Sequence, residues 1–118
     1  MVVTPNQNYF RLINKILKDV PQLELLWAAE KIRGLSDLFM NRPKGLIIMF
    51  ETNHESLDFL KLVRNNPSFE QLPVVMIFTE PLQFKQKMTK RLNITCKLGT
   101  PIPHQELQNQ IKKMITEA

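Results

Sequence analysis

A chain of 118 residues with 43% apolar and 23% charged side chains has the make-up of one globular domain, read as a single unit over residues 1–118. No apolar run approaches the ~20 residues of a membrane-spanning helix. The start, Met1-Val2-Val3-Thr4-Pro5-Asn6, has neither a basic n-region nor an apolar signal core, so a cytoplasmic protein without membrane contact is expected. The lone Cys96 excludes an internal disulfide, and its apolar setting between Ile94 and Leu98 reads as a buried structural thiol. With only His54 and His104 besides, there is no zinc-ligand pattern, and no cofactor is expected.

The net charge of +5 is uneven. Basic and acidic side chains balance over residues 1–80. The remainder holds Lys85, Lys87, Lys90, Arg91, Lys97, Lys112 and Lys113 against Glu106 and Glu117. Either this segment is a solvated face, or it is a basic docking surface.

In chain order, Val2-Val3 suggests a short first strand that ends at Pro5. Asn8 is placed to cap a helix over residues 9–19, where Phe10, Ile13, Ile16 and Leu17 recur at helical spacing. Residues 23–29 suggest a second strand, with Trp27 as a core or edge-packing residue. A short helix follows over 35–40, after Gly34 and with Ser36 as a cap. Leu46-Ile47-Ile48-Met49-Phe50 is unbroken apolar sequence, the pattern of a strand buried on both faces of a parallel sheet.

A polar loop, Glu51-Thr52-Asn53-His54, leaves that strand, and Ser56 is read as the cap of a helix to Arg64. His54 reads as a solvated loop residue. Val74-Val75-Met76-Ile77-Phe78 repeats the buried-strand pattern. Thr79 and Pro81 open a helix carrying Leu82, Lys85, Met88 and Leu92. Residues 94–98 form a weaker strand, and 104–116 a closing helix. Strand and helix alternate five times, which implies a parallel sheet with right-handed crossovers and helices on both faces. The expected class is α/β, a flavodoxin-like three-layer sandwich with strand order 2-1-3-4-5 and five helices.

Three blocks in register resemble the receiver domain of two-component response regulators. Gly45-Leu46-Ile47-Ile48-Met49-Phe50 resembles the third receiver strand. Ser56-Leu57-Asp58-Phe59-Leu60-Lys61-Leu62-Val63-Arg64 is similar to the family's following helix. Leu72-Pro73-Val74-Val75-Met76-Ile77-Phe78-Thr79 is similar to its fourth strand, and Thr100-Pro101 stands where the family has Lys-Pro. The resemblance implies a CheY-like fold, a role in two-component phosphorelay signalling and a signalling partner: a histidine kinase, an output protein, another receiver or a second copy of itself.

The family's reaction needs a carboxylate nucleophile, acidic ligands for Mg²⁺, a switch hydroxyl and a lysine. Here the nucleophile position falls on Phe50, or on Glu51 one residue later. The metal corner falls on Thr4 and Pro5, with no Asp or Glu before Asp19. The switch position falls on Phe78, followed by Thr79, and the lysine position on Thr100. The pocket therefore reads as a degenerate phosphorylation site, its carboxylates and balancing lysine lost together and Phe50 and Phe78 filling the space.

Glu51 as a stand-in for a phosphorylated aspartate is a second reading of that position. The expected function is a phosphorylation-independent interaction module, not an enzyme, docking through Lys85, Lys87, Lys90, Arg91, Lys97, Lys112 and Lys113. An atypical receiver that still accepts a phosphoryl group, and a small nucleic-acid-binding domain using the basic face, are the alternatives. The second is disfavoured, because no nucleic-acid reading module fits beside this fold.

Overall fold

The computed structural model describes residues 1–21, 23–79 and 92–116. Five short strands, β1 (Val2–Val3), β2 (Trp27–Ala28), β3 (Leu46–Ile48), β4 (Val74–Ile77) and β5 (Cys96–Leu98), form one sheet in the order β2-β1-β3-β4-β5. All four pairings are parallel. This is the doubly wound topology expected from the alternation of elements. The described helices are α1 (Gln7–Leu17), α2 (Lys31–Asn41), α3 (Asn53–Arg64) and α4 (His104–Thr116), with a 3₁₀ turn at Pro67–Phe69. The helix expected after Thr79 lies outside the described residues, so four of the five expected helices are described.

The pleat splits each apolar run between two cores. Leu46, Ile48, Phe50, Val74, Met76 and Phe78 face α2 and α3. Ile47, Met49, Val75, Ile77 and Leu98 face α1 and α4. A run with no polar residue is what a strand covered on both faces requires. Phe59 of α3 is fully buried at the centre of the first core, where truncation of such a ring costs about 3–5 kcal/mol.

Several local expectations need correction. α1 starts two residues early because Asn6, not Asn8, is its cap: Asn6 Oδ1 accepts from the amides of Asn8 at 2.9 Å and Tyr9 at 3.3 Å. β2 is only Trp27–Ala28. At this edge Trp27 stacks on Phe10 with ring centroids 5.0 Å apart and donates Nε1–H to the Thr4 carbonyl at 2.9 Å.

α2 spans Lys31–Asn41 with Gly34 inside it, and Ser36 does not cap it. Gly34 is tolerated there because a Cβ would meet the Phe59 ring at 3.2 Å and Val3 at 3.3 Å. α2 ends at Arg42, which takes the left-handed conformation (φ 43°) and donates its amide to the Leu38 carbonyl at 3.0 Å.

α3 begins at Asn53 with Thr52 as its cap. Thr52 Oγ1 accepts from the Glu55 amide and donates to the Glu55 carboxylate, each at 3.1 Å. The Thr52-x-x-Glu55 pattern is the sequence signature of such a start. Ser56, read as the cap, is instead buried inside the helix. α4 occupies the expected residues. Cys96 is half-buried, and desolvation together with the nearby Glu106 carboxylate pushes its thiol pKa up. No helix among the described residues is long and apolar enough to cross a membrane.

Candidate functional site

The strand registers align the carboxyl ends of β1, β3 and β4: Val3 pairs with Ile48, and Ile48 with Met76. The chain leaves each strand at the same edge: continuing these registers, Thr4 comes level with Met49 and Ile77, and Phe50 with Phe78 one residue further on. In open α/β sheets this edge is the usual place for ligands and chemistry.

What gathers there is a core plug under a polar latch. Phe50 and Phe78 are each 3% exposed and belong to the core against α2 and α3. The Phe50 ring lies 5.8 Å from that of Phe59, and Lys31 Nζ, from the first residue of α2, sits 5.5 Å from the Phe50 ring centroid. An ammonium at this distance is attracted to the negative face of the ring. The Phe50 amide donates to the buried Ser56 Oγ at 3.1 Å.

Above the rings, Glu51 is exposed and its Oε1 accepts from Asn6 Nδ2 at 3.1 Å. Thr79 Oγ1 donates to the Glu51 carbonyl at 2.9 Å, and the Thr79 amide donates to Asn53 Oδ1 at 3.1 Å. Asn53 is almost fully buried. Thr4 is buried, its Oγ1 accepting the Asn6 amide at 3.3 Å, while Pro5 and Thr100 are exposed. The edge therefore brings together Thr4, Phe50, Glu51, Phe78 and Thr79, as the spacing suggests. It adds Asn6, Lys31, Asn53 and Ser56, which the sequence reading did not single out for the site. The polar run Asn6-Gln7-Asn8 and the Thr52-x-x-Glu55 pattern were the available signals for Asn6 and for the helix start that carries Asn53. Nothing local marks Lys31.

A hard divalent cation needs several anionic oxygens. In the cluster just described Glu51 supplies the only carboxylate, and it is engaged by an amide. Among the described residues no group of three or more His, Cys, Asp or Glu side chains could hold a metal ion. The donors supplied by the described residues do not by themselves fit Mg²⁺.

His54 sits in the first turn of α3, not in a loop. Its Nε2 lies 3.3 Å from Asp58 Oδ2, an exposed i,i+4 pair. Of the basic residues proposed for docking, Lys112 and Lys113 are exposed on α4. Lys97 is exposed on β5, where the pleat turns it away from the α4 side that Cys96 and Leu98 face. Lys85, Lys87, Lys90 and Arg91 lie outside the described residues.

No family model matches this sequence, and no curated protein matches it. Solved structures do match over nearly the whole chain, and all of the following are of one kind, the receiver fold of bacterial two-component signalling. A two-component response regulator from Legionella pneumophila superposes with a TM-score of 0.81 at 14% identity, covering 98% of this chain and 97% of that one. The chemotaxis response regulator CheY4 of Vibrio cholerae gives 0.77 at 20% identity, with 96% and 94% covered. A signal receiver domain of a two-component histidine kinase from Clostridium thermocellum gives 0.75 at 13% identity, with 97% and 94% covered. At these identities the likeness establishes the fold.

Proposed function

We propose that the chain is a receiver-like module of two-component signal transduction whose output does not depend on accepting a phosphoryl group. The observation that carries this is the burial of Phe50 and Phe78 in the core at the edge where the fold's chemistry resides. A phenyl ring offers no nucleophilic oxygen. Glu51, the carboxylate that the described residues bring to this cluster, is held by Asn6. Hydrogen bonds from Thr79 to Glu51 and Asn53 tie together the two loops that follow these rings in the chain.

Binding to another signalling protein is the remaining use of such a domain. The exposed Lys112 and Lys113 on α4 offer an acidic partner a basic surface. A histidine kinase, an output protein, another receiver or a second copy of this chain fits that description.

The test is incubation with acetyl phosphate or beryllofluoride plus Mg²⁺, read by intact mass and by amide chemical shifts, beside a receiver that carries the aspartate. No adduct and no shift are expected here. A stable adduct on Glu51 would overturn the proposal.

A further inference from the structure

The opposite, amino edge of the sheet holds two adjoining cavities of about 390 and 450 Å³ that share Lys44 and Met114 as a common wall. Pockets for small ligands run from ~300 to 1,000 Å³ and combine an apolar lining with a few placed polar groups. Leu25, Ile47, Ile111, Met114 and Ile115 line the first cavity, together with Arg42, Lys44 and one carboxylate, Glu24.

Two backbone features shape this site. The left-handed turn at Arg42, followed by Pro43, brings the chain under the start of β3. A Cβ at Gly45 would lie 2.7 Å from Met114 Sδ, so the missing side chain lets the thioether close against the strand and part the two cavities.

The Arg42 and Lys44 side chains are exposed, and neither makes an ion pair with a described residue. Two cations therefore stand beside an apolar hollow with one carboxylate against them. The second cavity adds Lys113. A neutral apolar ligand would leave these cations unused, and a cation would be repelled by them. An anionic head on an apolar body satisfies both parts of the lining.

We propose that this groove binds an amphipathic carboxylate, its aliphatic or aryl body among Leu25, Ile47, Ile111 and Met114 and its carboxyl group between Arg42 and Lys44. This site lies at the far edge of the sheet from the Phe50 plug, so it stands independently of the phosphorylation-free reading.

The probe is decanoate, titrated below its micelle concentration at low ionic strength into isotope-labelled protein. Saturable shifts are expected at Gly45, Ile47, Ile111 and Met114. The Arg42→Glu/Lys44→Glu variant, changed only at exposed side chains, should bind at least tenfold more weakly while keeping a dispersed spectrum. Decanol should also bind at least tenfold more weakly than decanoate, and Met114→Trp should block the site by filling it. Absence of saturable shifts, shifts centred elsewhere, equal binding of decanol, or unchanged affinity in the charge-reversed variant would each overturn the assignment. So would an acidic peptide that occupies the groove when decanoate does not.

Discussion

Asn53 Oδ1 accepts the backbone amide of Thr79 at 3.1 Å, 26 residues away in sequence. This bond joins the first turn of α3 to the end of β4, and the Thr79 hydroxyl adds a second link to the Glu51 carbonyl. The loop after β3 is thereby tied to the neighbouring strand.

Replacing Asn53 by Ala removes an acceptor from a nearly fully buried position and leaves the Thr79 amide unpaired. A loss of about 1–3 kcal/mol is expected in urea unfolding. Asn53→Asp, which keeps the acceptor, should recover part of it. Hydrogen exchange at the Thr79 amide should quicken in the alanine variant more than at β4 amides. Equal exchange in both proteins would show that the latch does not hold the loop.

Arg64 is expected to act as a clamp. Its guanidinium donates to the carbonyls of Leu92 at 2.8 Å, Phe69 at 2.5 Å and Asn93 at 3.0 Å, three acceptors from two loops. Desolvation lowers its pKa, yet it stays charged. Arg64→Ala should cost about 1.5–3 kcal/mol, since charge-assisted bonds are worth more than neutral ones but this group is partly exposed. Arg64→Lys should restore less than half, because one ammonium cannot match a planar fork. Denaturant midpoints of the three proteins decide it.

Gly34→Ala should destabilise despite a gain of up to ~1 kcal/mol in helix propensity. The added methyl would press on Phe59 and Val3, both fully buried and without room to yield. A net loss of about 1 kcal/mol is expected in thermal or urea unfolding. A gain would show that the α2–α3 core can relax.

Stability should rise with pH between about 6 and 8 in a polypeptide with a free Met1 amino group. Burial lowers that amine from 8.0 to about 6, while it donates to the Gly45 carbonyl at 2.8 Å. In this window the unfolded chain binds a proton that the folded chain does not. The contribution is therefore complete above pH 8 and is lost as pH falls through 8 towards 6. It amounts to at most about 3 kcal/mol. Urea midpoints across this range, with and without N-terminal acetylation, test it: acetylation should flatten the slope.

Much of the architecture was legible in the residues. Two unbroken apolar runs, Leu46 to Phe50 and Val74 to Phe78, announce strands covered on both faces, and the alternation of elements leads to the observed strand order. α4 was legible to the residue because Pro103 precedes it and Leu107 and Ile111 repeat at helical spacing. Helix starts were less legible. Asn6 and Asn8, or Thr52 and Ser56, are chemically similar caps a few residues apart, and only the backbone path selects between them. Gly34 looked like a boundary because glycine disfavours helices, but close packing on Phe59 overrode that preference.

At the carboxyl edge, the sequence by itself determined that no acidic residue stands between β1 and Asp19 and that aromatic rings stand at positions 50 and 78. Those facts are matters of identity, and no fold can change them. Tertiary structure alone decided that Lys31 lies over the Phe50 ring, that Asn6 reaches Glu51, and that Asn53 and Thr79 fasten two loops together. Each joins residues 19 or more positions apart, and local pattern holds no information about such meetings. They follow from the stacking of strands in register and the angles at which helices return across the sheet.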